Sequence, residues 1–132
     1  MLLVDTNVLV DVLQNDPQWA EWSISQMRAQ SSLHALVINP IIYAEMSLSF
    51  STLEALDDVV VTLALELREI PRAALFLAAK AYAQYRWRGG NKLQVLPDFF
   101  IGAHAAVEGW PLLTRDASRF RTYFPTLDVL AP

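Results

Sequence analysis

Short apolar runs that stop at a polar residue recur along this chain of 132 residues. Residues 1–4 (MLLV) stop at Asp5, residues 34–38 (HALVI) at Asn39, and residues 111–114 (PLLT) at Arg115-Asp116. Strands that are apolar at nearly every position, rather than every second one, are buried on both faces. Helical patterns lie between them. Helices are expected over residues 6–13, from Asp16-Pro17 to about residue 30, from Asn39-Pro40 onward, and over 71–88, 98–108 and 117–123. Asp or Asn followed by Pro supplies a cap and a first helical residue with preset φ. Ser51-x-x-Glu54 reads as a capping box for a further helix through Val60. Residues 67–70 and 127–130 read as short strands, and 93–96 as a brief extended segment. Strand–helix alternation with strands of this kind gives an α/β fold whose mostly parallel sheet is covered on both faces.

Composition bounds the rest. A chain of this length is expected to be one domain, 1–132, with no linker or repeat to divide it. There is no cysteine, which excludes a disulfide framework and thiolate metal sites and suits a cytoplasmic protein. Hydrophobic residues make up 54%, yet the longest apolar run, 73–79, is far short of the ~20 residues a membrane helix needs. The first residues carry Asp5 and Asp11 and no basic stretch, so no secretory leader is expected. The net charge of −4 alone argues against a nucleic-acid partner. Its distribution argues otherwise: residues 1–67 hold nine acids and one base, residues 68–132 five acids and nine bases.

In a parallel sheet, ligands bind beyond the carboxyl ends of the strands. Asp5, Asp98 and Asp116 each follow an apolar run, and Glu45 lies early in the helix after residues 34–38. Four carboxylates at one sheet edge repel and drift toward protonation unless a cation sits among them. Oxygen ligands without His or Cys indicate Mg²⁺ or Mn²⁺, and a carboxylate-held Mg²⁺ suits phosphoryl chemistry. Asp98 and Asp116 each also fit the plainer role of a helix cap. Setting the four acids aside, the ten that remain equal the ten bases.

Asp5-Thr6-Asn7-Val8-Leu9 at the start, Glu45 mid-chain, Asp98-x-x-Ile101-x-Ala103, and Leu113-Thr114-Arg115-Asp116 with Phe120 after it resemble a PIN domain over the whole chain. The size is similar to VapC toxins of bacterial and archaeal toxin–antitoxin pairs. The resemblance implies a three-layer α/β/α fold around a sheet of four or five strands. It implies a Mg²⁺- or Mn²⁺-dependent endoribonuclease, a cognate antitoxin that covers the site, and a homodimer. Asp5, Glu45, Asp98 and Asp116 match the acidic quartet, with Asp5, Asp98 and Asp116 as metal ligands. Asn7 and Thr114 match supporting polar positions, beside Arg115. The segment 89–97 departs from the pattern by lengthening the approach to Asp98. The alternatives are a PIN-like RNA-processing nuclease that is no toxin, and a PIN-like domain that binds without cutting.

Other features carry less. Arg86, Arg88 and Lys92 with Tyr85 and Trp87 suit single-stranded RNA, and equally a solvated helix end. Arg115 reads either as a phosphate contact or as an ion pair to one of the four acids. His104 reads as a packed or surface residue, and Asp11, Asp57 and Asp58 as solvated helix positions; Asp11, six residues past Asp5, could alternatively lie near the site. The apolar helix 71–85 and the Trp19/Trp22 pair read either as core or as a partner surface. An aspartyl-nucleophile phosphatase is disfavoured by Asn at position 7 and by the lack of a Gly-rich phosphate cradle, and a dinucleotide binder by the missing glycine fingerprint.

Overall fold

A computed structural model describes all of residues 1–132. Five strands, β1 (Leu2–Val4), β2 (Leu36–Ile38), β3 (Glu66–Leu67), β4 (Leu112–Leu113) and β5 (Val129–Leu130), form one sheet in the order β3-β2-β1-β4-β5. Every pairing is parallel. β1 is central: Leu3 is in register with Val37 on one side and Leu112 on the other. Successive strand residues point to opposite faces, yet every residue of β1 and β2 is buried, so helices cover both sides.

The helices are α1 (Thr6–Leu13), α2 (Ala20–Ser31), α3 (Pro40–Met46), α4 (Leu53–Thr62), α5 (Arg72–Trp87), α6 (Pro97–Glu108) and α7 (Ser118–Tyr123), with a 3-10 turn at Ser47–Ser49 after α3. α6 buries six consecutive-to-neighbouring residues, Phe99 and Ile101–Ala105. It packs against α5 through the alanine stripe Ala74, Ala78 and Ala81, which lets the two backbones approach closely. α7 closes on α6 at Gly102, where a Cβ would meet the Phe124 ring at 2.5 Å. None of these helices is long and apolar enough to cross a membrane.

Three local expectations shift. Asp16 caps a turn rather than the helix itself: its Oδ1 accepts from the backbone N–H of Gln18 and Trp19, both at 2.9 Å, and regular helix begins at Ala20. The cap of α4 is Thr52, whose Oγ1 accepts from Ala55 N–H at 3.1 Å, one residue after the expected Ser51. β3 lies at Glu66–Leu67, earlier than 67–70, because α4 ends in a left-handed turn at Ala64 (φ 53) that sends the chain straight beside β2.

That turn is one of four alike. At Asn15, Ala64, Gly89 and Gly109 the φ is positive, and the next N–H reaches back to the carbonyl five residues before it. Asn and Gly tolerate this conformation; alanine carries a Cβ penalty of roughly 1 kcal/mol there. Ala64→Gly is therefore expected to stabilise the protein by about 0.5–1 kcal/mol in chemical denaturation, against the usual direction of a glycine substitution.

Candidate active site

β1 delivers Asp5 to the sheet edge with its backbone N–H still in the ladder, donating to Leu113 O at 2.8 Å. The side chain then does two things. Its Oδ1 caps α1 by accepting from Thr6 N–H at 2.7 Å, and its Oδ2 accepts from the Thr114 hydroxyl at 2.8 Å. Asp5 is only 5% exposed. Burial pushes its carboxyl up to about 7, with the nearby charges of Asp98 and Glu45 adding to the rise and the Thr114 and Thr6 hydrogen bonds opposing it.

Thr114 follows β4 directly and is fully buried. Asn7 brackets the segment it begins: Asn7 Nδ2 donates to Thr114 Oγ1 at 3.4 Å, and Asn7 Oδ1 accepts from Arg115 N–H at 3.1 Å. Glu45 comes from α3, where its Oε1 accepts from the Thr6 hydroxyl at 2.6 Å. α3 starts where it does because Asn39 Oδ1 caps Ile42 N–H at 3.0 Å ahead of Pro40. Asp98 sits in the first turn of α6, after Pro97, so it is not the helix cap; Leu96 holds that position without a side-chain bond. Burial and Asp116 raise the Asp98 carboxyl, and the Arg119 guanidinium opposes them from 3.2 Å. Asp116 is exposed, and its Oδ1 also meets Ser118 N–H at 3.4 Å, so the capping role fits it in part.

The structure thus brings Asp5, Glu45 and Asp98 within electrostatic reach of one another, and Asp116 within reach of Asp98. No three acidic or imidazole side chains stand as a closed ligand cage. Asn7 and Thr114 bond into the Asp5 network, while the guanidinium of Arg115 turns away from it.

Arg115 pairs with Asp11, Nε to Oδ2 at 2.9 Å, and lies 5.6 Å over the Trp19 ring. This overturns the reading of Asp11 as a solvated position. Asp11 is 2% exposed and also accepts from the Ser23 hydroxyl at 3.1 Å, joining α1, α2 and the loop after β4. The pairing was hidden because its partners lie 12 and 104 positions away. Asp57 and Asp58 are exposed, as expected, though Asp57 accepts from the Tyr43 hydroxyl at 2.7 Å. Trp19 and Trp22 are half-buried and packed edge-on at 6.4 Å, with the Arg115 guanidinium over Trp19. In the basic cluster, Arg86 Nη1 donates to the Lys92 carbonyl at 3.2 Å, and Arg88 lies 5.3 Å over Tyr123.

Sequence reasoning passed over Arg119 and the side-chain roles of Thr6, and it saw Asn39 only as a cap; of the two readings of His104, the packed one holds. His104 is buried, with Nδ1 3.2 Å from Asn39 Nδ2 and its ring 5.1 Å from Trp110. It tethers the cap of α3 to α6. The capping role of Asn39 was legible from Asn39-Pro40, but its second bond to α6 was not.

Two outcomes follow from these contacts. A carboxyl raised in the folded state binds its proton more tightly than in the unfolded chain, so metal-free stability should fall as pH rises from about 4 to about 7. Asp5→Asn should remove most of that loss, melting above wild type at pH 8 by the equivalent of roughly 2–4 kcal/mol and converging with it near pH 4. Asp11→Ala, which strands Arg115 and Ser23, should cost about 1–3 kcal/mol in urea denaturation.

A family model described as PIN domain matches residues 2–124. The fold is similar to that of the VapBC2 complex from Rickettsia felis bound to a promoter DNA fragment, at TM-score 0.75 and 18% identity over 99% of this chain and 98% of that chain. It is similar to DNA-bound VapBC from Salmonella typhimurium, at 0.72 and 20% over 98% and 96%. VapBC-1 from nontypeable Haemophilus influenzae aligns at 0.73 and 17% over 98% and 96%. No curated protein matches the sequence. Five parallel strands, an acidic edge built on Asp5 and a family match from β1 through α7 agree: the chain belongs to the PIN domain family.

Proposed function

We propose that this protein is a Mg²⁺- or Mn²⁺-dependent endoribonuclease, a single nuclease domain over 1–132 that acts as the toxin of a toxin–antitoxin pair. The observation that carries the reading is the convergence of Asp98 and Glu45 on the buried Asp5, close enough for both to add to the rise of its carboxyl to about 7. PIN-family membership adds weight to the nuclease reading.

The donors fit a hard cation, since they are carboxylate oxygens with hydroxyls behind them. The acids do not form a closed cage, so waters and substrate phosphate oxygens would complete the shell of an ion held among them, partly through water. Asp5, Asp98 and Asp116 would hold the ion. When bound, it activates water as a Lewis acid and neutralises the charge that develops at phosphorus.

The protein's own groups do the rest. Thr114 and the Thr6 N–H fix both Asp5 oxygens, so this ligand is preorganised. Asn7 holds the Thr114–Arg115 peptide behind it. Glu45 has one oxygen on Thr6, which leaves the other to orient the attacking water and accept its proton. The water oxygen bonds to phosphorus in line as the opposite P–O bond breaks. Arg86, Arg88 and Lys92 line the path of the RNA backbone beyond Asp98, with the 91% exposed Trp87 as a stacking face. Arg115 steadies the rim through Asp11.

The toxin role and an antitoxin partner rest on the likeness to VapBC complexes. Exposed Leu53, Val61, Leu75 and Phe76 give apolar surface for that partner and for a second copy in a homodimer. The cytoplasm is the proposed setting, where RNA and such a partner meet.

The protein is expected to cleave RNA, to lose cleavage in EDTA and to regain it with Mg²⁺ or Mn²⁺. Asp5→Asn and Asp98→Asn should each fold normally and lose at least ~100-fold in rate, as removal of an electrostatic catalytic group does. Expression of wild type, but not of Asp5→Asn, should arrest growth. RNA cleavage that survives both substitutions would place the chemistry elsewhere.

A further inference from the structure

Three side-chain ion pairs are present, and one of them engages the acidic edge: Arg119 Nη1 to Asp98 Oδ2 at 3.2 Å. The guanidinium does not depend on Asp98 for its place. Its central carbon lies 5.5 Å from the Tyr85 ring centroid and 5.8 Å from that of Phe99. These rings belong to α5 and α6 and pack on each other at 5.6 Å and on Tyr123 of α7. Arg119 is therefore seated on an aromatic platform, with its cationic end on the Asp98 carboxylate of the acidic edge.

We infer that Arg119 is the internal counter-cation of this edge: it holds Asp98 while no metal is bound and competes with the metal for that carboxylate. The inference rests on the metal-site reading above and goes beyond it. An acidic cluster without a cation destabilises the fold that carries it, and Arg119 relieves part of that repulsion. The same contact occupies one Asp98 oxygen, so full ligation by Asp98 requires the guanidinium to give way. Asp98 Oδ1 has no protein partner and is left for the first contact with an incoming ion. Because Tyr85 and Phe99 keep the guanidinium nearby, it returns when the ion leaves. Arg119 thus sets the metal concentration at which the site fills, and raises the metal-free stability of a site that would otherwise only repel.

The two effects have opposite signs, which a merely structural residue would not produce. Calorimetric titration of the full chain with Mn²⁺ should give Arg119→Gln a Kd about twofold to fivefold lower than wild type, the range that a half-exposed ion pair allows. Metal-free Arg119→Gln should melt lower than wild type at pH 8. Arg121→Gln removes the same charge from an exposed position on α7 and should leave the Mn²⁺ Kd unchanged. An unchanged Kd in Arg119→Gln, or an equal gain in Arg121→Gln, overturns the competition. If neither wild type nor Arg119→Gln binds Mn²⁺, the metal-site reading falls, and this inference with it. A readout on wild type covers failure of the variant to fold: saturating Mg²⁺ should shift the ¹⁵Nε resonance of Arg119 and speed its exchange with water. A resonance indifferent to Mg²⁺ overturns the inference.

Discussion

Asp5 sits where two requirements of a parallel sheet collide. The central strand must be apolar to be buried on both sides, and its carboxyl end is where the fold opens a ligand edge. The first polar residue after Leu2–Val4 is therefore half inside the core. Its carboxyl is neutral or ionised according to what surrounds it, and here burial and two neighbouring acids push it toward the neutral form. Everything near it answers that imbalance. Thr114 and the Thr6 N–H give it hydrogen bonds, Asn7 fixes the loop that carries Thr114, and Arg119 compensates Asp98 next door.

Around this centre the second layer is built from long-range polar pairs. Asp11 ties Arg115 to α1 and Ser23, and the Asn39–His104 contact ties the start of α3 to the middle of α6. Because Asn39 Oδ1 is committed to capping Ile42, its amide nitrogen is the side that faces His104 Nδ1. The ring then accepts at Nδ1 and carries its proton on Nε2, which has no partner. Burial lowers the affinity of this imidazole for a second proton, consistent with the neutral form that the contact requires.

Much of this was legible in the order of residues. The apolar runs ending at Asp5, Asn39 and Asp116 announced the parallel sheet and its polar edge, because both follow from local composition. Asp5, Glu45, Asp98 and Asp116 stood out by their place after those runs; the structure brings Asp5, Glu45 and Asp98 within electrostatic reach of one another, and Asp116 within reach of Asp98. What stayed hidden depended on partners far away in sequence. Asp11 looked like a solvated helix residue until Ser23 and Arg115 closed over it. Ala64 gave no sign of a left-handed turn, since alanine is an ordinary helix former. Nor did anything near Arg119 announce Tyr85 and Phe99 as its seat, 34 and 20 positions earlier.

α5 buries the alanines Ala74, Ala78 and Ala81, with Tyr82 and Tyr85 packed beside them on Phe99, and leaves Leu75 and Phe76 outside. The three alanines meet α6. Any larger side chain on the inner stripe would wedge the two helices apart, whereas the outer face is free of core obligations. The fold therefore depends on one side of α5 and leaves the other free. Substitutions on that outer face can accumulate without disturbing Asp98 at the start of the helix beneath it, so the surface there can diversify while the acidic edge stays fixed.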